Sequence, residues 1–331
     1  MHSFKEFSQL FEEKFNLRHF PSHPANLYDA SQYLLTMEGK RIRPVLCLMG
    51  NELFDDLKPQ AYHVAAAVEL FHNFTLVHDD IMDKAPLRRG VQTVHEKYGE
   101  STALLAGDVI LVTAYEYLNK VGGELKRKVI SLFNEMAKKV CEGQQLDMEF
   151  AQKQVKMIAS PGTGGITFDD YAAMIELKTS VLLGTSLCLG AVLGMAGLGN
   201  QEYLYEFGKN LGMAFQVQDD YLDIYGDPGK FGKQPGGDIL SNKKTFLLIH
   251  ALQSGSDSEV EELKALMESS VEDKVQRVVA IYNSCRIQEW AMELKNKYMS
   301  LALQNLEETA VLSFRKKPLE ELAHFLLDRE K

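Results

Sequence analysis

The stretch AAAVELFHNFTLVHDDIMD, Ala65 to Asp83, decides how the rest of the chain is interpreted. Its apolar residues recur at three- and four-residue spacing, which predicts a helix with an apolar face. Three aspartates, Asp79, Asp80 and Asp83, stand at the end of this apolar run, where each charge must be compensated. The stretch therefore predicts a helical fold and, at the end of this helix, a charged site.

The same periodicity recurs along the chain, for example in TALLAGDVILVTAYEYLNKV, LKRKVISLFNEMAKKVCEGQQLDMEFA and EYLYEFGKNLGMAFQVQDDYLDIYG. Glycine, proline and short polar clusters separate these segments. No stretch shows the sustained period-two alternation of a half-buried strand. Because neither a low-complexity linker nor a repeat marks a boundary, we predict an all-α protein with one domain, residues 1–331.

Composition limits the classes of function. The chain has 331 residues, 45% of them hydrophobic and 25% charged, as expected of a soluble globular protein. Its net charge of −10 argues against nucleic-acid binding, which needs basic residues to neutralise phosphates. Four widely spaced cysteines without a CxxC pair fit a reducing, cytoplasmic location.

One uncharged segment, VLLGTSLCLGAVLGMAGLG (Val181 to Gly199), is long enough to span a membrane. It contains five glycines, and charged residues stand just before it. We interpret it as a buried core helix in close contact with its neighbours, so no membrane span is predicted.

The aspartate triplet has a second copy. Asp219, Asp220 and Asp223 in QDDYLD repeat the D-D-x-x-D spacing about 140 positions later. Residues four apart project from one face of a helix, and a like-charge pair there costs a few tenths of a kcal/mol. If the two helices face each other across a cavity, each cross pair at ~5 Å repels by roughly 3 kcal/mol at an effective dielectric near 20. Cations bound between the carboxylates would turn this repulsion into a net attraction.

Both triplets offer only oxygen ligands, with no Cys or His inside them. This favours a hard ion such as Mg²⁺, which binds through a few carboxylates together with substrate phosphates. An exposed acidic helix end would explain one triplet, but two triplets on apolar helices favour a site. A substrate with phosphate oxygens is therefore predicted.

Basic residues stand near both triplets in the sequence. Arginine offers a forked pair of donors for phosphate oxygens, and lysine offers a point charge. These basic residues are Lys40, Arg41 and Arg43 in GKRIRP, Arg88 and Arg89 in LRRG, Lys178 in KTS, Lys230 and Lys233 in GKFGKQPGGD, and Lys243 and Lys244 in SNKKT. Any one of them alone would be interpreted as a solvated surface residue. Their position beside the triplets favours binding.

Taken together and in order, GKRIRP, DDIMDKAPLRRG, KTS, FQVQDDYLD, GKFGKQPGGD and SNKKT resemble the motifs of the trans-prenyltransferases. This family comprises the farnesyl, geranylgeranyl and longer polyprenyl diphosphate synthases, and the resemblance covers nearly the whole chain. It implies a single large helical bundle around a deep central cavity, usually as a homodimer. It also implies head-to-tail condensation of isopentenyl diphosphate with an allylic diphosphate.

The resemblance implies roles for individual residues. It assigns Asp79, Asp83 and Asp219 to Mg²⁺, about three ions per active site, with Asp80, Asp220 and Asp223 in support. It assigns Arg88, Lys178, Lys233 and Lys243 to the allylic diphosphate, and Lys40, Arg43, His72 and Arg89 to isopentenyl diphosphate. Thr179 and Gln216 would line the reacting centre.

Product length is expected to depend on the residues before Asp79. Phe71 and Phe74 would form the floor of the chain pocket, and Thr75 between them and Asp79 would leave room. The DDIMD motif lacks the two extra residues typical of bacterial farnesyl synthases. We therefore expect geranylgeranyl diphosphate as the main product, with a farnesyl or longer-chain synthase as the alternative.

Two other functions stay open at this point. Glu69-x-x-His72 and Glu321-x-x-His324 could contribute to a di-iron centre in a helical bundle, although that would leave both aspartate triplets without a role. A non-catalytic partner subunit is the other alternative. Such subunits tend to lose one aspartate motif, whereas this chain keeps both.

Overall fold

The computed structural model describes residues 1–37, 39–155, 158, 165–226 and 236–327. These residues are mostly helical, which confirms the all-α prediction. The helices of the first half are α1 (Phe4–Phe15), α2 (Ala25–Leu35), α3 (Ile42–Glu52), α4 (Pro59–Met82), α5 (Val94–Tyr98), α6 (Glu100–Asn119) and α7 (Leu125–Gln152). A π-helix, Glu176–Ser180, joins α8 (Phe168–Ile175) to α9 (Val181–Leu193). The remaining helices are α10 (Leu198–Tyr225), α11 (Gly237–Leu240), α12 (Phe246–Ser254), α13 (Asp257–Met267), α14 (Lys274–Ser284), α15 (Ile287–Glu308) and α16 (Ser313–Leu327).

A small hairpin follows α4, and the sequence did not predict it. Strands β1 (Leu87–Arg88) and β2 (Val91–Gln92) pair antiparallel. Arg89 and Gly90, which connect them, have φ values of 52° and 81°. Positive φ at both central residues is the type I′ geometry that suits the twist of a two-residue hairpin. Strands of two residues are too short to show an alternating pattern, which is why periodicity could not reveal them.

The chain divides into two compact units. The first comprises Met1–Ala137, Leu183–Tyr205 and Glu307–Leu319. The second comprises Lys138–Leu182, Glu206–Leu306 and Glu320–Lys331. That the two units form one domain stays a prediction.

Close helix contacts hold the core of the first unit. A Cβ atom at Gly190 in α9 would lie 2.0 Å from the carbonyl oxygen of Cys47 in α3. A Cβ at Gly50 in α3 would lie 2.4 Å from the carbonyl oxygen of Leu187. Glycine at these two positions therefore lets α3 and α9 approach backbone to backbone, as the sequence predicted for the uncharged segment.

Among the described residues, the continuous helical run Phe168–Leu193, made of α8, the π-helix and α9, is long and apolar enough to cross a membrane. Yet 78% of its most apolar window is buried inside the protein. This burial supports the interpretation of a core helix.

Aromatic side chains contact one another within the mostly aliphatic core of the second unit. Tyr171 in α8 packs edge-on against Phe246 in α12, with ring centroids 4.7 Å apart. Tyr282 in α14 is buried in the same cluster. This core fixes the amino terminus of α12, where one of the candidate site residues is bound.

Candidate active site

The first aspartate triplet lies at the carboxyl end of α4, which ends at Met82. Asp80 is buried, with 2% of its surface exposed, whereas Asp79 is partly buried and Asp83 is exposed. Consecutive helix residues are rotated by about 100°, so Asp79 and Asp83, which are four apart, lie on one face of the helix. Asp80, which directly follows Asp79, lies on a different face. Asp79 and Asp83 therefore present one pair of carboxylates, and Asp80 points elsewhere.

Arg88 compensates the buried carboxylate of Asp80. Its Nε donates to Asp80 Oδ2 at 2.8 Å, and its Nη2 donates to Asp80 Oδ1 at 2.7 Å. This is the bidentate geometry that makes arginine–carboxylate pairs strong. The hairpin holds Arg88 in place, and Arg88 Nη2 also lies 3.7 Å from Asp79 Oδ2. Arg88, which belongs to the same motif, thus neutralises part of the acidic cluster. Its role in binding diphosphate stays a prediction.

The residues expected to bind isopentenyl diphosphate are brought together in the first unit. Arg43 Nη1 lies 3.2 Å from His72 Nε2. The guanidinium of Arg89 lies beside Gly39, since a Cβ there would be 2.8 Å from Arg89 Nη1. Lys40, the next residue along the chain, is exposed. Arg43 and His72 are therefore adjacent, and Arg89 lies beside the backbone that precedes Lys40.

The pKa values of His72 and Arg89 reflect burial and the neighbouring arginines. Burial lowers the pKa of His72 well below its usual value, and the positive charges of Arg43, Arg89 and Arg88 lower it further. His72 is therefore neutral near pH 7. Burial also lowers the pKa of Arg89, although the Glu69 carboxylate opposes that effect. Neighbouring positive charges disfavour one another, and a bound anion would lower that cost.

Arg41 was grouped with the phosphate-binding residues on sequence alone. The structure shows it buried, with its Nη1 paired to Glu69 Oε1 and its Nη2 donating to the Leu35 carbonyl at 2.7 Å. Asn73 Nδ2 donates to the same Glu69 oxygen at 3.0 Å. Arg41 thus has an internal partner. This engagement of Glu69 also removes the support for a di-iron centre that includes it.

The second triplet repeats the division seen in the first. On α10, Asp220 is buried, with 1% exposed, whereas Asp219 is exposed and Asp223 is partly buried. Asp220 accepts hydrogen bonds from Gln216 Nε2 at 2.8 Å and from the Phe246 backbone N–H at 3.3 Å. Phe246 is the first residue of α12, where N–H groups that have no acceptor within the helix favour a negative charge. In both triplets the protein itself binds the middle carboxylate.

Burial raises the pKa of Asp220 to about 7, although Lys243 acts in the opposite direction. Burial lowers the pKa of Lys243, but the carboxylates of Asp220 and Asp238 raise it by more, so the amine is firmly charged. Lys243 Nζ lies 3.4 Å from Asp238 Oδ2. Lys243 is therefore held as a cation beside the second triplet.

Asp223 positions the segment that follows the glycine-rich loop. Its Oδ2 accepts from the Asp238 backbone N–H at 2.9 Å, and its carbonyl accepts from the Gly236 N–H at 2.7 Å. Lys230 and Lys233, expected in this loop, lie outside the described residues.

Lys178 and Thr179 occupy the π-helix between α8 and α9. Lys178 Nζ lies 2.6 Å from Asp147 Oδ2 on α7. Sequence reasoning missed Asp147, because a single aspartate on an amphipathic helix carries no distinctive pattern. Both side chains of this pair are partly exposed, so Lys178 keeps access to solvent.

The residues expected to set product length lie on α4, upstream of Asp79. Phe71 is buried and its ring lies 5.6 Å from that of Phe74. Phe133 on α7 packs edge-on against Phe71 at 5.4 Å. Thr75 Oγ1 donates to the His72 carbonyl at 2.8 Å, which leaves its methyl group as its apolar surface. The two rings thus form a supported aromatic layer.

No group of three or more His, Cys, Asp or Glu side chains in the described part of the chain could hold a metal ion by itself. The paired carboxylates of Asp79 and Asp83 offer only hard oxygen ligands, and so does Asp219. In each unit, such carboxylates suit a hard cation that takes its remaining ligands from water and phosphate. The residues present fit that kind of ion.

The helical fold and the two aspartate triplets fit a class of synthases that act on isoprenyl diphosphates, and the comparisons with known proteins show that class. The chain belongs to the polyprenyl synthetase family, whose sequence model matches residues 24–285. A geranylgeranyl diphosphate synthase of Saccharolobus solfataricus is 37% identical over 326 residues, which cover 96% of this chain and 95% of that protein.

Solved structures agree with this assignment. A crystal structure of a geranylgeranyl pyrophosphate synthase matches with a TM-score of 0.92 and 36% identity, over 100% of both chains. The geranylgeranyl pyrophosphate synthetase of Pyrococcus horikoshii Ot3 matches with a TM-score of 0.90 and 30% identity, over 98% of this chain and 97% of that one.

Proposed function

We propose that this chain is a prenyltransferase that condenses isopentenyl diphosphate head to tail with dimethylallyl, geranyl or farnesyl diphosphate. Its main product would be geranylgeranyl diphosphate. Family membership and relatives named for that product support the proposal. The observation that carries it is that each aspartate triplet has a buried middle carboxylate bound by the protein, next to two carboxylates that are partly or fully exposed.

The reaction breaks the allylic C–O bond and leaves a delocalised carbocation and a departing diphosphate. The double bond of isopentenyl diphosphate attacks the cation, a new C–C bond forms, and a proton is lost. The released diphosphate can accept that proton, so no strong side-chain base is needed. The protein's tasks are to bind two anions, stabilise the leaving group and exclude water.

Asp79, Asp83 and Asp219 would hold Mg²⁺, about three ions per active site when substrate is present. Bound Mg²⁺ would supply Lewis-acid stabilisation of the charge that develops on the diphosphate. Asp80 and Asp220 would act indirectly. Asp80 holds Arg88 in place, and Asp220 binds the backbone N–H at the start of α12.

Lys178 and Lys243 would bind the allylic diphosphate, with Arg88 at the edge of the first triplet and Lys233 from the glycine-rich loop. Both lysines pair with aspartates in the structure, Lys178 with Asp147 and Lys243 with Asp238. Such pairs hold a flexible amine near its working position.

Lys40, Arg43, His72 and Arg89 would bind isopentenyl diphosphate. The short distance between Arg43 and His72, and the contact of Arg89 with Gly39, support one shared site. A neutral His72 can donate one hydrogen bond to an anion without adding to the crowding of cations.

The chain would act as a homodimer in the cytoplasm. Three large apolar side chains on α6 support a second copy as partner, since Leu104, Leu105 and Val112 expose 50%, 55% and 59% of their surface. Leu104 and Val112 lie on one face of the helix, with the exposed Asp108 between them. Sedimentation at two protein concentrations tests the oligomeric state, and a strictly monomeric active enzyme would contradict it.

The proposed activity is tested by incubating the protein with isopentenyl diphosphate, Mg²⁺ and each allylic primer in turn, followed by chromatography of the dephosphorylated products. A twenty-carbon alcohol as the main product is expected. A main product of fifteen carbons would favour the farnesyl alternative. Absence of any condensation would favour a non-catalytic subunit.

A further inference from the structure

The π-helix Glu176–Ser180 is an unusual element at an important place. Its wider i→i+5 turns are rare, and they occur frequently at functional sites. It carries Lys178 and Thr179, which the proposed function assigns to the allylic diphosphate and the reacting centre. We use register for the position of the π-helix backbone against the neighbouring helices, which sets where the Lys178 and Thr179 side chains lie.

Helix α7 approaches the π-helix at Gly143. A Cβ atom at Gly143 would lie 2.3 Å from the backbone nitrogen of Lys178 and 2.7 Å from the carbonyl carbon of Leu177. These are backbone atoms, so no side-chain rotation could relieve the overlap. One turn later on the same face of α7, Asp147 accepts from Lys178 Nζ at 2.6 Å. Helix α7 thus fixes both the backbone and the side-chain end of Lys178.

Helix α10 approaches the other end of the π-helix at Gly212. A Cβ there would lie 2.8 Å from Ser180 Cα and 2.9 Å from Ser180 Cβ. Ser180 is fully buried, so it has no open space into which to move. Gln216 and Asp220 follow Gly212 at intervals of four residues on the same face of α10. Gln216 Nε2 donates a hydrogen bond to Asp220 Oδ1.

We propose that Gly143 and Gly212 are positioning residues that hold the π-helix in the register at which Lys178 can bind the allylic diphosphate. Each lacks a side chain at a point where a neighbouring helix contacts the backbone of the π-helix. Gly143→Ala pushes the backbone of Lys178 away from α7, which carries Asp147, and Gly212→Ala displaces Ser180 and, with it, Thr179. The role assigned to Lys178 rests on the proposed function, whereas the claim about register does not.

Two matched controls separate positioning from general packing. Gly199 lies on the same helix as Gly212 and is exposed, and a Cβ added there would have no atom within 4 Å, so Gly199→Ala should be neutral. Gly194→Ala would place a Cβ 2.8 Å from the Asn51 carbonyl oxygen, an overlap like that at Gly212 but in the first unit. It should lower stability without a selective effect on the allylic substrate.

The test measures both Michaelis constants for Gly143→Ala, Gly212→Ala and the two controls, together with hydrogen exchange of the peptide that contains residues 176–180. We expect either glycine variant to raise the allylic KM by about tenfold and the isopentenyl KM by less than about twofold. Exchange in the peptide should also become faster, even in the absence of substrate. Gly194→Ala should change neither the KM ratio nor the exchange of this peptide.

A double-mutant cycle gives a second, sharper readout. If Gly143 acts through Lys178, Gly143→Ala should have little further effect on the allylic KM in a Lys178→Ala background. Fully additive effects, or equal rises in both Michaelis constants, would overturn the positioning role. Should the wild-type protein fail to condense any primer, the proposed function falls. In that case unchanged exchange in Gly143→Ala and Gly212→Ala would still refute the claim about register, and faster exchange would support it.

Discussion

Arg88 donates from Nε and Nη2 to the two carboxylate oxygens of Asp80, at 2.8 and 2.7 Å. The arginine comes eight residues after the aspartate, on a hairpin that reverses the chain. This pair compensates the charge that α4 buries at its end. It also shows that aspartates adjacent in sequence have different tasks.

Asp79→Asn and Asp80→Asn should therefore differ in their effects. The first should abolish most turnover with a smaller change in unfolding free energy, because Asp79 is less buried than Asp80 and lies at a longer distance, 3.7 Å, from Arg88. The second should also destabilise the protein by about 1–3 kcal/mol, since it removes the carboxylate that binds the partly buried Arg88 at 2.7 Å. Urea unfolding and steady-state turnover of both variants check this. Equal stability of the two variants would contradict the assigned division.

The basic residues should divide between the two substrates. Arg43→Ala should raise the KM for isopentenyl diphosphate, because it removes a guanidinium next to His72. Lys178→Ala should mainly raise the KM for the allylic substrate. Measuring both constants for both variants decides the matter, and an exchanged pattern would refute the assignment.

His72 should make stability depend on pH. Its pKa in the folded protein is well below 6.5, whereas the unfolded chain has the ordinary value near 6.5. Below pH 6.5 the unfolded state binds more protons, so stability falls as pH is lowered, by up to about 1.4 kcal/mol per pH unit from this residue. His72→Gln should remove that part of the slope between pH 6.5 and 5. Burial shifts the pKa of His19, His63 and His250 in the same direction, so the comparison with wild type isolates His72.

Product length should respond to the aromatic layer on α4. Phe74 and Phe71 lie roughly 7.5 and 12 Å along the helix axis from Asp79, at 1.5 Å per residue. A filled pocket cannot accept a further isoprene unit without overpacking. Phe74→Ala, alone or with Phe71→Ala, should therefore lengthen the products seen by chromatography. An unchanged distribution in both single variants and the double variant would place the floor elsewhere.

Sequence periodicity predicted α4 and α10 and the shared faces of their aspartates, because the 3.6-residue repeat dictates which side chains align. The order of the motifs indicated the family. Periodicity could not show which aspartate is buried, since this depends on Arg88 and on the Phe246 N–H, both distant in sequence. The internal pairing of Arg41 with Glu69 and the contact of Asp147 with Lys178 were hidden for the same reason.

The central claim is that the outer carboxylates act through a divalent cation. The most direct measurement is turnover after chelation and after readdition of Mg²⁺, for the wild type and for Asp79→Ala and Asp219→Ala. We expect the wild type to lose activity with chelator and to regain it with Mg²⁺. Each variant should stay at least about a hundredfold slower at saturating Mg²⁺. Near-normal turnover of either variant, or full activity in the presence of chelator, would contradict the account.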